Sequence, residues 1–223
     1  SLGSGFFQEE YKKIRERHEN VINELFGNPG LVLDEVSPLF NELDQVLTGI
    51  ALVGELTPKT LDRIMGMGER FSSSIISRFI EKASLTDSSA LILTNSNFGK
   101  AAVNIEVTYR QIRKHFDNFH GITIAPGFIA KNSAGEYTTL GRGGSDYTAA
   151  LYAAALNAAS LEIWTDVNGF MTADPRVISE AYTIPEPTYS EAMELSHFGA
   201  KVIYPPTILP VYQKGIPVLI KNT

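Results

Sequence analysis

Cysteine is absent from this 223-residue sequence, which rules out disulfides, thiolate metal sites and a cysteine nucleophile. A basic excess is also absent. With 19 lysines and arginines against 25 aspartates and glutamates, the net charge of −6 has the wrong sign for a general nucleic-acid binder. No apolar run reaches transmembrane length and no signal-peptide hydrophobic region opens the chain, so no membrane partner is expected and the cytoplasm is the default compartment. His18, His115, His120 and His197 are scattered, read as structural or solvated, and predict no protein-held metal. Repeats and low-complexity segments are missing too. What remains is an ordinary globular composition, 43% hydrophobic and 20% charged, long enough for one sizeable α/β domain or two small ones.

The chain is organised around Thr139-Leu140-Gly141-Arg142-Gly143-Gly144-Ser145-Asp146. The β-prone Tyr137-Thr138-Thr139 enters a glycine turn, and an alanine-rich helical pattern leaves it. Glycines let backbone N–H groups converge on an anion, and Arg142 adds a planar fork for a carboxylate or phosphate. Ser145 is the expected N-cap, with Asp146 in the first turn. Glycine spacing alone would be satisfied by a plain βα turn. Arg142, Ser145 and Asp146 together on the loop favour a site for an anionic small molecule.

Ser1 to Gly5 reads as a lead-in or cloning remnant. Helical periodicity then runs from Phe6 to about Phe26, from Leu31 to Val53 with a possible start at Ser37-Pro38, and from Thr57-Pro58 to about Phe79. Inside the third helix, Gly66 and Gly68 cost roughly 1 kcal/mol each against alanine, which predicts a close backbone approach there. Glu69 beside them is placed to face a ligand ammonium, unless it is simply solvated next to Arg70. From Ser89 onward strands alternate with helices: a strand at 90–94, a helix at 104–119, a strand at 122–130, and a turn at 132–135 into a hairpin strand at 137–139. After the glycine loop and its helix come a strand at 161–166, a helix from a Ser190 cap to Phe198, a short strand at 201–204, a short helix at 206–214 and a last strand at 216–220. The expected fold is therefore α/β, a three-layer αβα arrangement with a mainly parallel open sheet, both faces covered, and a helical N-terminal third. Ligands of such sheets sit at the carboxyl ends of strands, where Gly141–Asp146 and Thr165-Asp166 can share a crevice. Asp174-Pro175 presents Arg176, either toward a polyphosphate or as half of a surface pair with Asp174.

Taken together, Gly68-Glu69, Gly141 to Asp146, Trp164-Thr165-Asp166-Val167-Asn168-Gly169 running into Asp174-Pro175-Arg176, and Glu191 to Val202 resemble the catalytic domain of aspartokinases, members of the amino-acid kinase family. The run Glu191-Ala192-Met193-Glu194-Leu195-Ser196, followed by Phe198 to Val202, is most similar to the aspartokinase half of bifunctional aspartokinase–homoserine dehydrogenases.

The resemblance implies that L-aspartate is held by Glu69, Arg142 and Ser145, with Glu69 on its ammonium and Arg142 on a carboxylate. It implies Arg142, Asp146 and Lys201 as catalytic residues. It implies an ATP site lined by Thr165, Asp166, Arg176, Lys201 and Val202, with Mg²⁺ arriving on the nucleotide. The reaction would pass the γ-phosphate of ATP to the β-carboxylate of aspartate, giving 4-phospho-L-aspartate for lysine, threonine and methionine synthesis. The family's N-terminal strand with its Lys-Phe-Gly-Gly-Thr-Ser block and its C-terminal ACT domains have no counterpart in this sequence. Residues 6–223 are therefore expected to be a truncated catalytic domain with little or no turnover, 6–83 mainly helical and 89–223 the nucleotide-binding part. A homo-oligomer is possible, without assembly through ACT domains. Two alternatives stay open: an amino-acid kinase acting on glutamate, acetylglutamate or a nucleoside monophosphate, and a non-catalytic nucleotide- or amino-acid-binding module.

Overall fold

A computed structural model describes residues 4–166, 169, 171–172, 178–198 and 205–223. Three helices come first: α1 (Ser4–Leu25), α2 (Gly30–Val53) and α3 (Pro58–Phe79). Thr57 caps α3, its hydroxyl accepting from the Thr60 N–H at 3.1 Å, with Pro58 in the first turn where its missing N–H costs nothing. Helix α2 starts at Gly30 rather than at Ser37-Pro38, so Pro38 lies inside it. An interior proline costs ~3 kcal/mol or more. Val36, Phe40 and Leu43, all buried against α1 and α3, offset that at about 1.5–3 kcal/mol each. The Phe40 and Phe71 rings sit 4.5 Å apart in this core, and the His18 ring packs 4.7 Å from Phe71.

Helix α3 is buried on two sides. Met67, Phe71 and Ile75 join the three-helix core. Asp62, Gly66, Ser73 and Ser77 form a second buried stripe at four- and seven-residue spacing, with Glu69 half-buried between them. The helix packs against β1 (Ala83–Leu85), β3 (Ile122–Ile124) and β5 (Tyr137–Thr139), which calls for small side chains at the closest approach.

Strand pairing is mainly parallel, as expected, but among the described residues it falls into three separate sheets of two, three and two strands instead of one open sheet. β1 pairs with β3, and β2 (Leu93–Thr94) pairs with β4 (Ile129–Asn132), both in parallel; β6 (Leu161–Thr165) pairs in parallel with β7 (Val218–Asn222). The 132–135 turn makes the expected hairpin of β4 and β5, with Ile129 opposite Thr139. Several boundaries differ. Ala90 and Leu91 belong to a one-turn helix, α4 (Ser88–Leu91), because Asp87 accepts from the Ser89 N–H and caps it. The 122–130 run is two strands, broken where Pro126 has no N–H to donate and Phe128 takes φ 68°. Helix α5 (Ile105–His115) is shorter than its apolar pattern.

Helix α6 (Gly144–Leu156) follows the glycine loop, and α7 (Tyr189–Phe198) is capped by Thr188 rather than Ser190. Thr188 Oγ1 accepts from the Glu191 N–H while Glu191 Oε2 accepts from the Thr188 N–H, a reciprocal capping box. A 3-10 turn (Pro205–Ile208) and α8 (Leu209–Tyr212) precede β7. The expected strand at 201–204 lies outside the described residues. Trp164 on β6 is 57% exposed, and Lys221 Nζ lies 5.1 Å from its ring centroid. Alanine-rich α6 contributes to three core clusters: Ala150 and Ala153 with Leu161, Ile163 and Val211; Leu151 with Ile92 and Ala130; and Ala155 with Leu91 and Ile112.

Candidate functional site

The glycine loop leaves β5 through Leu140, whose N–H donates to the Phe128 carbonyl at 3.0 Å. Gly141 and Gly143 take φ of 72° and 69°, a left-handed geometry that side chains other than glycine adopt at a cost. The Gly144 N–H closes onto the Gly141 carbonyl and the Tyr147 N–H onto that of Gly143. Ser145 and Asp146 lie between, among the first-turn amides that a helix cannot satisfy from within. The N-cap is therefore Gly143, and Ser145 is inside the first turn. The correction follows from tight turning: Gly144 enters the helix against Phe128 and Leu140, where a Cβ would fall 2.8 Å from Phe128 Cδ2 and 3.1 Å from Leu140 Cβ.

Glu69 reaches this loop from α3. An open cleft of about 290 Å³ is lined by Met65, Glu69, Phe128, the loop glycines, Ser145 and Asp146. Burial raises the Glu69 carboxyl above its ordinary value, and it does the same to Asp146. Arg70 does not neutralise Glu69. Its guanidinium pairs with Glu42, 2.9 Å away on α2. Arg142 is exposed at the loop tip and lines an adjoining cleft with Asp62, Met65, Gly99 and Thr139. Three sequence-selected residues, Glu69, Ser145 and Asp146, thus converge on one cleft, with Arg142 at its border.

Of the residues expected on the nucleotide side, Thr165 and Asp166 are described. Thr165 ends β6, and its hydroxyl donates to Asp166 Oδ1 at 3.2 Å. A separate cleft of about 470 Å³ is lined by Gly169, Thr183, Tyr189 and the start of β7. Arg176, Lys201 and Val202 lie outside the described residues.

Sequence reasoning missed Asp62, Gly127 and Phe128. Asp62 is 1% exposed and accepts from three donors: the Gly99 N–H, shared between both carboxylate oxygens, and the N–H and hydroxyl of Thr139. Gly127 passes so near the loop that a Cβ would lie 2.9 Å from Ser145 Cα. Phe128 donates its N–H to Thr148 Oγ1 at 3.1 Å, tying this turn to α6. The signal for Asp62 was its place on the small-residue stripe of α3, in step with Gly66 and Glu69.

Residues 6–222 match the amino acid kinase family. The chain belongs to that family. Among curated amino acid kinases, it is 35% identical to aspartokinase 1, chloroplastic, of Arabidopsis thaliana, over 96% of this chain and 39% of that protein. It is 39% identical to the bifunctional aspartokinase/homoserine dehydrogenase of Buchnera aphidicola, over 82% of this chain and 23% of that protein. The chain thus spans well under half the length of these relatives. Among solved structures, it superimposes on Escherichia coli aspartokinase III in complex with aspartate and ADP, with a TM-score of 0.92 and 34% identity, covering 100% of this chain and 50% of that one. The three-layer αβα fold of the amino acid kinases is therefore the fold of this chain. Among the described residues, no helix is long and apolar enough to cross a membrane.

Proposed function

We propose that this chain carries the amino-acid site and part of the nucleotide site of an aspartate kinase. The observation that carries the reading is the shared cleft of Glu69 and the glycine loop: a half-buried carboxylate without its neighbouring cation faces a helix N-terminus bordered by an arginine. Such a site suits a ligand with one ammonium and two carboxylates. The likeness to an aspartokinase seen with aspartate and ADP supports it.

In this reading Glu69 holds the ammonium and Arg142 a carboxylate, while the Ser145 hydroxyl and the first-turn amides of α6 orient the ligand. The β-carboxylate, with an ordinary pKa of about 3.9, is already ionised and needs no general base. The chain's task is to bring two anions together, so positioning and cationic groups do the catalysis. Asp146 organises the loop. Thr165 and Asp166, at the carboxyl end of β6 where α/β sheets bind ligands, fit the sugar side of a nucleotide, with Arg176, Lys201 and Val202 assigned to the same site. When bound, ATP with its Mg²⁺ supplies the transferable phosphoryl group and neutralises its charge. Residues 6–223 act as one domain in this proposal, cytoplasmic by its composition, with oligomerisation left to the assembled protein.

Binding is the suitable readout, because the chain spans only part of its relatives' length. L-aspartate should saturate the chain more tightly than succinate, which lacks the ammonium, and Glu69→Gln should narrow that preference. A chain that binds L-glutamate or a nucleoside monophosphate in preference to L-aspartate would overturn the substrate assignment.

A further inference from the structure

Asp62 is a buried carboxylate to which the reading above gives no task. It shares a cleft with Arg142, but the contacts that hold it are hydrogen bonds. Its contacts come from neutral donors: the Gly99 N–H reaches Oδ1 and Oδ2, both at 2.9 Å, the Thr139 N–H reaches Oδ2 at 2.9 Å, and the Thr139 hydroxyl reaches Oδ1 at 2.8 Å. Burying a charge among neutral groups is costly, and it persists only where donors saturate it. A carboxylate is the acceptor-only group that can take all of these donors at once.

The donors belong to segments that build the amino-acid site. Thr139 ends β5, two residues before Gly141. Gly99 presses on the loop itself, since a Cβ on Gly141 would lie 3.1 Å from the Gly99 carbonyl oxygen. Asp62 shares the α3 stripe with Gly66 and Glu69, and Gly66 is pinned to β4, where a Cβ would fall 2.8 Å from Ile129 Cγ2. Resting on the aspartate-kinase reading, we propose that Asp62 is a positioning residue that fixes the glycine loop relative to Glu69, and so sets the distance between the ammonium-binding and carboxylate-binding ends of the site. It touches no ligand. Its effect passes through Thr139 to the loop and through α3 to Glu69.

The test uses the 223-residue chain, wild type and Asp62→Ala, with Asp62→Asn as the conservative variant that keeps one acceptor oxygen. Hydrogen exchange is followed at residues 139–146, with α1 and α2 as the internal control, alongside titrations with L-aspartate and with Mg·ATP. The proposal expects Asp62→Ala to speed exchange at 139–146 by about tenfold or more while α1 and α2 are unchanged. It expects L-aspartate binding to weaken by about tenfold, the loss of about one hydrogen bond to a charged group, with Mg·ATP binding unchanged and Asp62→Asn intermediate. Unchanged exchange at 139–146 in a folded variant, or acceleration spread evenly along the chain, overturns it. Wild type that binds no L-aspartate sinks the substrate reading, and the exchange arm then decides the loop's positioning alone. Should Asp62→Ala fail to fold, Asp62→Asn and Thr139→Val carry the same measurements.

Discussion

The guanidinium of Arg70 reaches back to Glu42, Nη1 to Oε2 at 2.9 Å, and turns away from its neighbour Glu69. Consecutive side chains on a helix diverge by about 100°, so Arg70 points to α2 while Glu69 points to the glycine loop. Arg63 closes on the same Glu42 carboxylate at 2.8 Å. The pairing keeps the Arg70 cation off the Glu69 carboxylate, as the proposed ammonium site requires.

Removing that anchor should damage the site at a distance. Glu42→Gln is expected to cost about 1 kcal/mol, a fall in Tm of about 2–4 °C, and to weaken L-aspartate binding as Arg70 swings toward Glu69. Burial pushes the Glu42 carboxyl up, but Arg63 and Arg70 together hold it below its ordinary value. A lowered folded value contributes stability above the unfolded value and loses it as pH falls through the folded one. The gap in Tm between wild type and Glu42→Gln should therefore narrow as pH drops below 4.5. Melting curves in which the gap widens with acid would refute this.

Glu69 has the opposite sign. Burial raises its carboxyl above 4.5, so its ionisation is a penalty, absent at low pH and full above the raised value. Glu69→Gln should raise Tm at neutral pH, on the order of 1–2 °C given the group's partial exposure, and the gain should vanish in acid. The same variant should weaken L-aspartate binding. A variant that binds L-aspartate as tightly as wild type would remove Glu69 from the site.

The two glycines of α3 should respond oppositely to alanine. At Gly66 a Cβ meets Ile129 Cγ2 at 2.8 Å, an overpacking cost of about 1–3 kcal/mol that outweighs the helix-propensity gain of roughly 1 kcal/mol. At Gly68 nothing lies within 4 Å of the Cβ position, so alanine should stabilise by about 0.4–1 kcal/mol. Chemical denaturation of the two variants gives the comparison directly, and equal midpoints would contradict it.

Gly127→Ala should disable the site without dismantling the domain. Its Cβ would meet the Ser145 backbone at 2.9 Å, and backbone cannot swing aside as a side chain can. Displacing the first turn of α6 should weaken L-aspartate binding by about tenfold, the loss of about one hydrogen bond to a charged group. Isothermal titration of the folded variant checks it; wild-type affinity would show that the turn at 125–128 does not bear on the ligand.

The helices and the hairpin were legible because their signals are local. Apolar and aromatic periodicity marked α1 to α3, Thr57-Pro58 marked a cap, and Asn132 to Gly135 marked a turn. The loop residues were legible because Arg142, Ser145 and Asp146 are unusual company for turn glycines. Less legible was whatever depends on residues far apart in the chain. Pro38 argued for a helix start, and only the burial of Val36 and Phe40 explains why the helix runs through it. Ser145 had the chemistry of a cap, but its place was decided by how closely Gly144 passes Phe128. Asp62 looked like one more helical aspartate, and nothing near it in sequence announces Gly99 or Thr139 as partners.

Helix α6 touches three separate cores and begins at Gly144, so it works as an axle through the domain. Its alanines leave little slack against the surrounding elements, and a close-packed interior transmits displacement instead of absorbing it. A side-chain enlargement in the cluster beside β6 is therefore felt along the whole helix, as far as Ser145 and Asp146 in its first turn.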